Sequence, residues 1–128
     1  MGALVLDANA AIGLLDSHDA HHVRATERVA EHYARRSQIL IPASAYAELL
    51  VHPLRAGTSA GVEAFVDRPE VELVAIDRSL ARTAAQLRAD HASLRLGDAL
   101  VLATTQARNA ELLTFDERLR RIARRYAA

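Results

Sequence analysis

The 128-residue chain contains no cysteine and no lysine, and its sixteen arginines are balanced by sixteen acidic residues to zero formal charge. Without cysteine there is neither a disulfide framework nor a thiolate metal site, a composition suited to a reducing compartment and so to the cytoplasm. Without lysine, Schiff-base catalysis and the P-loop are excluded. The longest apolar runs are too short to cross a bilayer, and the N-terminus lacks a basic stretch followed by an apolar one. A soluble protein with no membrane partner is therefore expected. Zero net charge argues against a globally basic nucleic-acid binder, yet the charge is uneven. Arg118, Arg120, Arg121, Arg124 and Arg125 crowd the last helical stretch, either as a local basic face or as a solvated one that suits the helix dipole.

A chain of this length fits one domain, residues 1–128, and buries enough surface for a core without staples. Short apolar runs alternate with helical patterns. Ala3 to Leu6 reads as a strand buried on both faces, and Ala10 to Leu15 as a helix with Asn9 at its N-cap. Ala20 to Arg36 reads as an amphipathic surface helix with Val23, Thr26, Val29, Ala30 and Tyr33 on its apolar stripe. Gln38 to Ile41 is a second strand, after which Ser44 is placed to cap a helix that His52-Pro53 ends or kinks. A short helix over Val62 to Val66 and a third strand over Val71 to Ile76 follow. Asp77 then caps a helix reaching about His91, and Gly97-Asp98 open a helix nearly all apolar or small. Glu111 to Thr114 is a fourth strand, and Asp116 starts a closing helix. Strands separated by helices imply right-handed crossovers and a mainly parallel sheet with helices on both faces.

Four acids fall where such a sheet builds its cleft. Asp7 and Asp116 follow apolar strands, at the carboxyl ends where open α/β sheets bind ligands, while Asp98 opens a helix and Glu48 interrupts an Ala/Leu-rich one. Asp7, Asp98 and Asp116 each have an alternative use as a helix cap or dipole partner, but Glu48 has none. Carboxylates about 5 Å apart repel by roughly 3 kcal/mol at an effective dielectric near 20, so a cluster of four calls for a divalent cation. All-oxygen ligation points to magnesium or manganese, and such sites suit phosphodiester cleavage.

The segments Val5-Leu6-Asp7-Ala8-Asn9, Ser44-Ala45-Tyr46-Ala47-Glu48-Leu49, Leu96-Gly97-Asp98-Ala99-Leu100 and Leu112-Leu113-Thr114-Phe115-Asp116 occur in order nearly end to end. In this pattern the chain resembles the PIN-domain ribonucleases, and among them the VapC-type toxins of bacterial toxin–antitoxin pairs. The resemblance implies a three-layer α/β/α PIN-like domain with a four- or five-stranded parallel sheet, the chain ending where the family commonly adds a fifth strand. It implies a metal-dependent endoribonuclease with Asp7, Glu48, Asp98 and Asp116 as the acidic quartet around Mg2+ or Mn2+. Asn9 and Thr114 match supporting polar positions, Thr114 placed to orient Asp116 through its hydroxyl. RNA as substrate, a cognate antitoxin seated in a groove near the site, and a homodimer complete the expectation. The exposed-looking helix from Val23 to Tyr33 is one candidate wall of that groove.

Receiver domains and haloacid-dehalogenase-like phosphatases place a lysine beside their aspartate, and this chain has none. A catalytically silent PIN-fold module that docks a protein or RNA is the alternative from another class. The histidines His18, His21 and His22 sit in a turn and read as a solvated helix start rather than a metal site, and His32, His52 and His91 read as surface or cap residues. Arg35-Arg36 and Arg120-Arg121 are candidate phosphate contacts.

Overall fold

The computed structural model describes residues 2–126. Four strands, β1 (Leu4–Leu6), β2 (Ile39–Pro42), β3 (Val71–Val74) and β4 (Glu111–Leu113), form a wholly parallel sheet in the order β3-β2-β1-β4. Every residue of β1 and β2 is buried, as continuous apolar runs require in the middle of a sheet covered on both faces. The edge strands β3 and β4 are only partly buried and carry Glu72 and Glu111. Among the described residues seven helices accompany the sheet: α1 (Ala8–Leu15), α2 (His22–Ala34), α3 (Ala43–Ala56), α4 (Ser59–Val66), α5 (Arg78–Asp90), α6 (Leu96–Ala107) and α7 (Glu117–Arg124). The arrangement is three-layered α/β/α, its core centred on Leu4, Leu6, Ile39, Leu40, Ile41 and Leu102. Among the described residues there are four strands and no fifth.

The order of the strands locates the cleft. From β1 the chain steps outward to β2 and then β3, and returns to place β4 on the other side of β1. The direction of winding therefore reverses between β1 and β4, and the loops leaving the two strands diverge to opposite faces. A crevice opens at their carboxyl ends. Asp7 follows β1 and Thr114 follows β4, so both residues border that crevice.

Several local expectations are corrected. Helix α1 begins at Ala8, and its N-cap is Asp7, whose Oδ1 accepts the Ala10 N–H at 2.8 Å; Asn9 lies inside the first turn. Ser44 does not cap α3, which starts at Ala43 after Pro42, and the Ser44 hydroxyl is buried without a partner. Nor does α3 end at Pro53: it runs on to Ala56 and stops at Gly57, whose φ of 73° is the left-handed conformation that glycine adopts cheaply. On α2 the buried stripe is Ala25, Val29 and His32, whereas Val23 is 66% exposed. His32 is fully buried, its Nδ1 donating to the Arg28 carbonyl at 3.1 Å, so it is no surface residue.

Candidate active site

Each acid is held by a different element. Asp7 is buried at the end of β1, and both of its carboxylate oxygens are engaged: Oδ1 by the Ala10 amide, Oδ2 by the Thr114 hydroxyl at 2.5 Å. The Thr114 Oγ1 also accepts the Asp116 N–H at 3.1 Å, so one hydroxyl links the ends of β1 and β4. Its reach to Asp7 goes beyond the contact with Asp116 read from the sequence. Asp116 is the exposed N-cap of α7, its Oδ1 accepting the Leu119 N–H at 3.0 Å. Arg120, one turn into α7, donates to the Thr114 carbonyl at 2.8 Å and braces the same turn.

Asp98 stands in the first turn of α6, a helix that starts at Leu96, earlier than Gly97-Asp98 suggested. Glu48 projects from the exposed face of α3. Gly97 brings the two helices together, for a Cβ there would lie 2.7 Å from Glu48 Oε1. Any other residue at position 97 pushes the Glu48 carboxylate aside.

The four charges act on one another. Burial pushes the Asp98 carboxyl above the ordinary range, and Asp116, Asp7 and Glu48, in falling order, push it further. Only Arg95 opposes them, with the smallest effect. Burial likewise raises Asp7, against the hydrogen bonds from Thr114 and Ala10, and the Asp116 charge adds to the rise. Among the described residues no three His, Cys, Asp or Glu side chains draw close enough to cage a metal ion as they stand. The donor set itself, four carboxylates with one weak counter-charge, fits a hard divalent cation.

Asn9 is exposed on α1 beside Asp7, and Thr114 is buried between the two strand ends. Three features of the site have no signature in local sequence: the glycine seat under Glu48, the Arg120 brace, and a ring stack between His21 and Phe115 with centroids 4.1 Å apart. A cleft of about 530 Å³ lies beside Glu48, walled by Ile12 and Leu15 of α1, Leu49 and Pro53 of α3, and Val62 of α4. Helix α2 is not among its walls.

A parallel sheet with acids gathered at its switch point defines an α/β domain with a carboxylate cleft. The family model of the PIN domain matches residues 4–125, and the chain belongs to that family. The structure is similar to VapBC2 from Rickettsia felis bound to a DNA fragment from its promoter (18% identity, TM-score 0.72, covering 94% of this chain and 92% of that one). It is also similar to a toxin–antitoxin complex from Klebsiella pneumoniae (23% identity, TM-score 0.73, 89% and 87% covered). A third likeness is to Mycobacterium tuberculosis VapC20, a sarcin-ricin loop cleaving toxin (17% identity, TM-score 0.73, 93% and 94% covered). At these identities the likeness carries the fold. Among curated proteins none matches the sequence significantly.

Proposed function

We propose that this chain is a metal-dependent endoribonuclease and the toxin of a toxin–antitoxin pair. The observation that carries the reading is the electrostatic grouping of Asp7, Glu48, Asp98 and Asp116, with Asp98 raised by all three of the others. Side chains from β1, α3, α6 and α7 do not gather like charges at a sheet's switch point for stability, since each pair repels. Function is the compensating gain.

Asp7 and Asp98 would hold Mg2+ or Mn2+ directly, and Asp116 and Glu48 would complete the site directly or through water. The ion, when bound, supplies an activated water and charge compensation at the phosphate. The chain's own part is positioning. Thr114 and the Ala10 amide favour the ionised form of Asp7 against its burial and fix its rotation, and the Leu119 amide fixes Asp116. One of the carboxylates orients the attacking water. Arg118, Arg121 and Arg125, spaced i, i+3 and i+7, lie on one exposed face of the segment that begins at Asp116 and are suited to the phosphates of the RNA substrate.

The cleft beside Glu48 would receive the antitoxin's apolar segment, and the toxin would act as a homodimer. Among the described residues no helix is long and apolar enough to cross a membrane. The test is incubation of the purified protein with structured and single-stranded RNA in magnesium, manganese or EDTA, beside an Asp98→Asn variant. Metal-dependent cutting lost in the variant establishes the reading. A folded, antitoxin-free protein that cuts no RNA under any metal overturns it in favour of a silent docking module.

A further inference from the structure

The chain has two phenylalanines, and they are used differently. Phe65 is a core residue, whereas Phe115 stays half-buried between Thr114 and Asp116, two residues of the carboxylate cleft. The His21 imidazole lies on the Phe115 ring, centroids 4.1 Å apart and planes 4° from parallel. Such near-parallel stacking is a specific geometry, not the edge-on contact seen between His91 and Tyr126.

His21 is brought there by a loop with little freedom. Asp16 Oδ1 accepts the His18 N–H at 2.9 Å, and Asp19 Oδ1 accepts the His21 N–H at 2.8 Å. His22 Nδ1 donates to the Gly13 carbonyl at 2.8 Å, and the loop packs closely on α1, a Cβ built on Gly13 standing 3.4 Å from the His21 Cβ. The loop is thus anchored by its neighbours on both sides of His21. His21 itself remains exposed although Phe115, the chain neighbour of Thr114 and Asp116, covers one face of its ring.

A cleft of carboxylates repels the phosphate backbone, so part of the grip on a nucleotide must come from its uncharged portion. Aromatic rings, histidine included, supply that grip by stacking on unpaired bases, with little regard to which base. We propose that the His21–Phe115 pair is a stacking platform for a nucleobase of single-stranded RNA adjoining the scissile phosphodiester, the base extending the stack on the face of His21 away from Phe115. The proposal rests on the nuclease reading of the carboxylate cleft. His21 is then a substrate-contacting residue, and Phe115 a positioning residue that acts through it.

The probe is a set of short single-stranded oligoribonucleotides carrying 2-aminopurine at successive positions, bound to the Asp98→Asn protein so that none is cut. Stacking quenches the fluorescent base, so quenching is expected at one position and not along the whole strand. His21→Leu keeps an apolar contact on Phe115 but removes the ring. It is expected to abolish the quench and weaken binding about tenfold at an unchanged melting temperature, while His21→Trp restores both. In the active background the same substitution raises KM with kcat little altered. Quenching and affinity unchanged in His21→Leu overturn the platform, as does a loss that His21→Trp fails to restore. Failure of the nuclease reading shows itself separately, as absence of metal-dependent cutting by the protein with His21 intact.

Discussion

Thr114 and Asp7 lie 107 residues apart in the chain, and the hydroxyl of the first donates to the carboxylate of the second at the carboxyl ends of two neighbouring strands. Because the same hydroxyl accepts from the Asp116 amide, it ties the two strand ends to one geometry. Thr114→Val keeps the shape and removes the donor, leaving a buried carboxylate one hydrogen bond short. A cost of about 1–3 kcal/mol in unfolding free energy is expected by urea titration. The hydroxyl favours ionised Asp7, so its loss raises the Asp7 pKa further. The acidic limb of the pH–rate profile for RNA cleavage therefore moves to higher pH, and Thr114→Ser moves it back. An unmoved limb in Thr114→Val would show that Asp7 ionisation does not limit the reaction.

Gly97 separates stability from catalysis at a second point. It sits in the first turn of α6, where alanine is ordinarily worth about 0.5–1 kcal/mol more than glycine. Its added Cβ would meet only the far end of the Glu48 side chain, which is flexible and exposed. Gly97→Ala is expected to fold with an equal or higher melting temperature and to lose about tenfold or more in cleavage rate, because Glu48 is turned out of the cleft. Cleavage at the parent rate would mean that Glu48 takes no part.

The strands were legible because each is a local pattern, an apolar run of strand length; Asp7 and Asp116 stood out as carboxylates after such runs, Asp98 as one at a helix start, and Glu48 only as an acid inside an apolar helix. Asp77 and Asp116 read as caps and are caps. Asn9 and Ser44 read as caps by the same rule and are not, because the helices begin two residues earlier than such caps imply, at Ala8 and Ala43. Periodicity placed the apolar stripe of α2 on Val23, Thr26, Val29, Ala30 and Tyr33; Val29 is buried and Tyr33 partly so, but packing against α1 turns the face to Ala25, Val29 and His32 and leaves Val23 exposed. The polarity of histidine hid the burial of His32, and it hid the stack of His21 on Phe115, ninety-odd residues away. The contact between Gly97 and Glu48 joins separate helices and leaves no trace in either segment alone.

Asp116 has two duties that a pair of substitutions can part. As N-cap it satisfies the Leu119 amide, and asparagine caps about as well as aspartate, whereas alanine costs about 0.5–2 kcal/mol. As a proposed cleft carboxylate it needs its charge, which asparagine lacks. Asp116→Asn is therefore expected to melt within about a degree or two of the parent and Asp116→Ala several degrees lower. Both should lose RNA cleavage alike. An Asp116→Asn protein that cuts as the parent does would reduce Asp116 to a cap.

Asp98 should show the opposite sign in the metal-free protein. Its carboxyl is raised by burial and by three acids, so the folded state holds its proton to higher pH than the unfolded chain does. In the window between the ordinary carboxylate value of 3.8 and the raised folded value, the native state binds more protons, and stability falls as pH rises through it. Above that window the full repulsive cost is present. Asp98→Asn removes the charge at every pH, so in EDTA at neutral pH the variant is expected to melt higher than the parent, with the difference fading as pH is lowered through the window. Asp7 titrates in the same direction and keeps part of the pH dependence in the variant. Added magnesium should reverse the ranking, since an ion that binds the native cleft stabilises the parent by mass action and gains little from a cleft lacking Asp98. Melting curves in EDTA and in magnesium at a series of pH values decide it. A variant less stable than the parent in EDTA would mean that Asp98 serves α6 as a dipole partner more than it strains the cleft.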